Sequence, residues 1–152
     1  MSYASKDIGV GNPHDPRFYN IILEEQALMF EPCQDVKRAA SVQHSKLSLK
    51  DHVNLTYNIG KTIRAVATLY DGYGKRKFSG GDHLRATIEN KDLKASAPCV
   101  VTDNKDGTHF VICEALWSGV SEINVILAYT RETITYIYRI RTQVCMQWSH
   151  LS

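Results

Sequence analysis

The sequence predicts an all-β domain, an antiparallel β-sandwich of about seven short strands. Three observations carry that expectation. From Ala39 onward apolar residues recur with a period of two. The alternating runs follow one another at roughly ten-residue spacing, with glycine, asparagine and aspartate between them. One connection, Asn104-Lys105-Asp106-Gly107, has the chemistry of a hairpin turn, with Gly107 able to supply a positive φ.

Residues 1–38 stand apart as an N-terminal arm. Asp15-Pro16 has the form of a helix N-cap followed by proline at the first helical position. Ile21, Ile22, Leu28 and Met29 then fall near one helical face, and Pro32 would end it. This predicts a short helix near 16–30, with an extended arm as the alternative. The sandwich is assigned to 39–142. Its strands begin with "SVQHSKLSL", where Val42, Leu47 and Leu49 alternate. Thr62–Tyr70 alternates Ile63, Ala65, Ala67 and Leu69 with Arg64, Val66 and Thr68. Leu84–Asn90 alternates Leu84, Ala86 and Ile88 with Arg85 and Thr87. "CVVTD" and "THFVIC" flank the hairpin turn, and "SEINVILAYT" follows. A last strand is expected over Ile134–Arg141, where both alternating sets carry bulk, as in a central or covered strand. Residues 143–152 form a C-terminal tail.

The chain's 152 residues suit one domain. Eighteen Lys and Arg against sixteen Asp and Glu leave a net charge of +2, too little to argue for nucleic acid or an anionic membrane. No apolar run approaches the roughly 18 residues that span a bilayer. The opening "MSYASKDIGVGNP" has no basic-then-apolar leader, so the sequence reads as an intracellular protein or as a piece of a longer one. The ending, Met146–Ser152, favours a piece.

"DGYGKRKFSGGDHLRA", Asp71–Ala86, is the stretch richest in glycine and cations. A phosphate cradle would need glycine N–H groups opening onto a helix N-terminus. Here a strand follows Gly80-Gly81, so the stretch is expected to be a crossover between strands. Lys75, Arg76 and Lys77 form a cationic knot, read as a solvated turn or as a contact for an acidic partner or glycan sulfate. The six histidines are scattered, without HxH or HExxH. Asp51-His52 and Asp82-His83 are neighbours that a strand would point to opposite faces. There is no GxSxG elbow. Asp106 and His109 match D-x-x-H, an acid and base pair in some serine esterases, but no Gly-Asp-Ser block accompanies them. No catalytic, cofactor or metal site is expected. Trp117 reads as a core or sheet-edge plug.

Cysteines stand at 33, 99, 113 and 145, without CxxC spacing. Four free thiols and two disulfides both fit that spacing. If the hairpin turn centres near Asp106, Cys99 and Cys113 lie opposite one another, and a bulge at Gly107 would make them diagonal. Cys33 and Cys145 would then tie the arm to the tail. Asn54-Leu55-Thr56 is a glycosylation sequon.

"LYDGYGKRKFSGGDHLRATI", "VTDNKDGTHFVI" and "EALWSGVSEINVILAYTRETITYIYRIR" together resemble the immunoglobulin-like domain of the neurexophilin and PC-esterase family, over about residues 39–142. The matching positions are Asp71, Gly74, Lys77, Gly80, Gly81 and Asp82. They continue with Val101, Thr102, Asp103, Asp106, Gly107 and Thr108, then Leu116, Trp117, Gly119 and Glu132. A weaker resemblance is to filamin-type immunoglobulin repeats, which share "GGD" and the later turn but not Leu-Trp-Ser-Gly or the long Ile134–Arg141 strand. The first resemblance implies a secreted immunoglobulin-like sandwich that binds another protein, a cell-surface or extracellular receptor. It implies no direct membrane insertion and no nucleic acid. The second implies a cytoplasmic scaffold repeat. A third reading is the accessory domain of a larger esterase or acyltransferase, whose Gly-Asp-Ser domain is not in this chain.

Overall fold

The computed structural model describes residues 35–50, 56–137, 139 and 140. The expected helix near 16–30, Cys33, Cys145, the Asn54 sequon and the tail at 143–152 lie outside those residues.

A single 3-10 turn, Val36–Arg38, is capped by Asp35, whose carboxylate accepts from the Lys37 N–H at 3.0 Å. Six strands follow: β1 Lys46–Leu49, β2 Thr62–Thr68, β3 His83–Asn90, β4 Ala95–Asp103, β5 Thr108–Glu114 and β6 Glu122–Tyr129. All pairs are antiparallel, in the order β1-β2-β5-β4-β3-β6. β4 gives the sheet its curl. Its first part, Ala95–Cys99, pairs with β3, and from Val100 to Asp103 it pairs with β5. A strand that changes partners midway turns the sheet over on itself, and the inward faces of the two halves then meet.

The alternation decides what lies inside. Ile63 and Ala65 of β2, Ala86 and Ile88 of β3, and Val111 and Cys113 of β5 form the main buried cluster with Ala115. Ala67, Leu69, Leu84 and Ala40 form a second cluster. Each buried Val, Leu or Ile contributes about 1.5–3 kcal/mol. The alanines keep the two halves close enough for those larger side chains to touch across the gap.

The expected strand over Ile134–Arg141 is instead helical, at 131–137 and again at 139–140, so the described residues hold six strands rather than seven. Local capping overrides the strand preference of its β-branched and aromatic residues. The Thr130 hydroxyl accepts from the Thr133 N–H at 3.1 Å, and the Thr130 carbonyl accepts from the Ile134 N–H at 3.0 Å. The Arg131 N–H, an end donor with no partner within the helix, donates to Asp82 at 3.0 Å. The long final strand therefore no longer separates the two family resemblances.

Candidate functional site

The cationic stretch resolves into two unlike parts. Asp71 organises the first as an Asx turn, its carboxylate accepting from the N–H groups of Tyr73 and Lys75, each at 2.9 Å. Gly74 takes positive φ there, at 74°. Lys75 and Arg76 stay exposed. Lys77 does not, which corrects its place in the expected solvent-facing knot. Period-two alternation turns it inward, where only 8% of it is exposed. Its ammonium group pairs with Asp82 at 3.1 Å and Glu132 at 3.0 Å.

Around that pair the residues of the family-like pattern converge. Asp82 also receives the helix N–H of Arg131, and the Arg131 guanidinium donates to the Gly80 carbonyl at 2.9 Å. Asp103 accepts from the Gly81 N–H at 2.7 Å and from the Lys105 N–H at 2.8 Å. A Cβ at Gly80 would fall 2.6 Å from the Asp103 carboxylate, so only glycine lets the crossover approach the hairpin. Gly107 has φ of 81°, and a Cβ there would collide with the Lys77 carbonyl. His109 lies buried between, its Nε2 3.0 Å from the Asp82 carbonyl oxygen. This network joins the 71–82 crossover, the β4–β5 hairpin and the helix start, with Lys77 and Asp82 buried and Glu132 and Asp103 only partly open to solvent.

Asp106 and His109 have separate roles. Asp106 sits at the exposed hairpin tip and accepts from the Thr108 N–H at 2.9 Å and its hydroxyl at 2.6 Å. Those bonds, with the nearby Arg76 charge, hold its carboxyl below the usual carboxylate range. The hairpin register pairs Asp103 with His109, which centres the turn on Asp106. Continued outward, that register sets Cys99 opposite Cys113. Their Cα atoms are 4.5 Å apart and the sulfurs are bonded. At the other end of the sheet, Trp117 is half-buried against the core and donates to the Ser121 hydroxyl at 3.0 Å. Gly119 beside it also has positive φ, at 98°. An apolar cleft of about 970 Å³ opens there between Leu47, Ile59, Ile88, Trp117 and Val120. Among the described residues no three His, Cys, Asp or Glu side chains are grouped to hold a metal ion.

The outer faces of the two halves differ. On β1-β2-β5-β4 the outward rows are read directly from the register. Ser48, Val66, Phe110 and Thr102 form one row. Arg64, Ile112 and Val100 form the next, with Lys50 beside Arg64 through an N–H to carbonyl bond of 2.9 Å. Val100 is 64% exposed, Ile112 39% and Phe110 38%. The Lys50 ammonium lies 4.2 Å from the centre of the Phe110 ring, and Lys46 lies 5.5 Å from that of Tyr70. On β3-β6 the outward pairs are Glu89 with Glu122, Thr87 with Asn124 and Arg85 with Ile126.

From sequence, the expected mode of binding is an exposed sheet face or edge strand, with Lys75–Lys77 as a possible contact, and β5 is not singled out. The signal was available, because "THFVIC" is bulky on both alternating sets, the pattern of a strand covered on both sides.

No protein-family model matches the chain. Among the described residues, no helix is long and apolar enough to cross a membrane.

Proposed function

We propose that this chain is a non-catalytic, extracellular interaction module. Its frame is an immunoglobulin-like sandwich, and it meets another protein through the outer face of β1, β2, β5 and β4. One observation carries this reading: Val100, Phe110 and Ile112 stand together and exposed on a sheet face, with cations beside them. A cluster of apolar side chains edged by charge is the anatomy of a protein interface. The Cys99–Cys113 disulfide supports the compartment, because oxidising surroundings keep such bonds and the cytosol reduces them. That weighs against a cytoplasmic scaffold repeat. The resemblance to neurexophilin-family domains points the same way.

The test is binding of the tagged chain, secreted from a eukaryotic host, to intact cells of several lines. Wild type should stain a subset of lines, and the pair Val100→Glu/Ile112→Glu should abolish staining while the protein stays folded. Equal staining by both would refute the interface. Reduced thiols at Cys99 and Cys113 in the secreted protein would refute the compartment.

A further inference from the structure

Lys46, Lys50 and Arg64 all project from the β1–β2 side of the exposed face. None of the three forms an ion pair with a carboxylate among the described residues, and Lys46 and Lys50 instead lie over aromatic rings. On the other half of the sheet Lys91 beside β3 is matched by Glu122 at 2.7 Å, and Arg85 is the one outward cation of β3 without an ion pair among the described residues. Among the described residues two carboxylates border the cationic face. Asp106 is taken up by Thr108 at the hairpin tip, and Glu114 ends β5 opposite Thr62.

The charges and the apolar groups are also sorted by strand. Across one row the order is Lys50, Arg64, Ile112, Val100, so cations occupy β1 and β2 and aliphatic groups occupy β5 and β4. Neighbouring strands are about 4.8 Å apart, so the cationic and apolar columns are centred about 10 Å apart. We propose that this face recognises an acidic polypeptide segment. Its carboxylates lie over Lys50 and Arg64, and its apolar side chains cover Ile112 and Val100. The proposal rests on the interaction-module reading and supplies the chemistry of the partner.

Two observations favour a polypeptide over an acidic lipid surface. The aliphatic groups lie flat on a sheet rather than projecting as a wedge. The Phe110 ring already carries Lys50 over its face, which keeps the ring from inserting into a bilayer. Cations with no carboxylate partner among the described residues, set beside apolar groups, gain most from a partner that brings carboxylates and greasy side chains together, because such complementarity selects the partner and speeds encounter.

The experiment titrates the isotope-labelled full chain with two synthetic peptides and follows backbone amides by NMR. In one peptide Glu alternates with Leu and Phe; in the other Lys replaces every Glu. The Glu peptide should bind at least about tenfold more tightly, a gap that narrows as added salt screens the charges. Its shifts should map to Arg64, Val66, Val100, Phe110 and Ile112. The pair Lys50→Glu/Arg64→Glu should reverse the preference, with folding checked by its retained amide dispersion. Equal binding of both peptides on this face would overturn the acidic specificity while leaving the interface intact. Shifts confined to another surface, or no binding of either peptide, would overturn the proposal. So would binding to phosphatidylserine vesicles with no preference between the peptides.

Discussion

The two outer faces of the curled sheet follow the same alternation and end in different chemistry. Every strand sends one set of side chains to the shared core. What each sends the other way is free of that constraint. On β3 and β6 the outward set is mostly polar, with Glu89, Glu122, Thr87, Asn124 and Arg85 and with Lys91 matched to Glu122, and its exposed apolar members, Ile126 and Tyr129, stand toward one end. On β2, β5 and β4 it includes Val66, Phe110, Ile112 and Val100, four apolar side chains in two adjacent rows. Core residues report stability, and the difference between the outward sets of the two halves is what the proposed interface rests on.

The largest expected effect removes the frame beneath both faces at once. Lys77→Ala leaves Asp82 buried without its cation, and breaking such a pair costs about 3–5 kcal/mol. Urea unfolding should show that loss, whereas Lys75→Ala, in the same turn but exposed, should stay within about 0.5 kcal/mol. Next comes the point where β4 passes between partners. Replacing Cys99 and Cys113 together with serine should cost about 3 kcal/mol for a loop of this size. Thermal unfolding with and without reductant checks it, and reductant should lower the Tm of wild type by more than that of the variant.

Smaller effects separate the faces themselves. Ile112→Thr should change stability by no more than about 0.5 kcal/mol, because the side chain is exposed, yet it should weaken cell binding. Thr87→Ile on the other half should be equally mild in stability and should leave binding unchanged. The smallest effect lies at the hairpin tip. The Asp106 carboxyl is held low by Thr108, so it should titrate below the usual value of about 3.9. A depressed folded-state value means its contribution is fully present above that pH and is lost as pH falls through the lowered one. Carboxyl-carbon NMR gives the midpoint directly, and Thr108→Val should move it upward.

Much of the frame was legible because alternation is local. Ile63, Ala65 and Ala67, and likewise Leu84, Ala86 and Ile88, announce an inward face from spacing alone. The turn at Gly107 and the opposition of Cys99 and Cys113 follow from one hairpin register. The helix at 131–137 was not legible from propensity, since its bulky β-branched residues suit a strand. It depends on Thr130 as a cap and on Asp82, almost fifty residues away in sequence, accepting the Arg131 N–H. The inward turn of Lys77 escapes a reading of the sequence for a related reason. Among three adjacent cations nothing local says which one turns inward, and its partners Asp82 and Glu132 come from separate elements. The proposed binding face is not legible from sequence because it exists only once β5 lies between β2 and β4, an order that the sequence of strands does not reveal.

The most direct test of that face is photocrosslinking on intact cells, with benzoylphenylalanine placed singly at four outward positions. Thr102 and Ser48 probe the apolar and cationic face, and Thr87 and Asn124 probe the other. Covalent adducts from Thr102 and Ser48, with none from Thr87 and Asn124, are the predicted result. Adducts arising equally from both pairs, or only from Thr87 and Asn124, would contradict it.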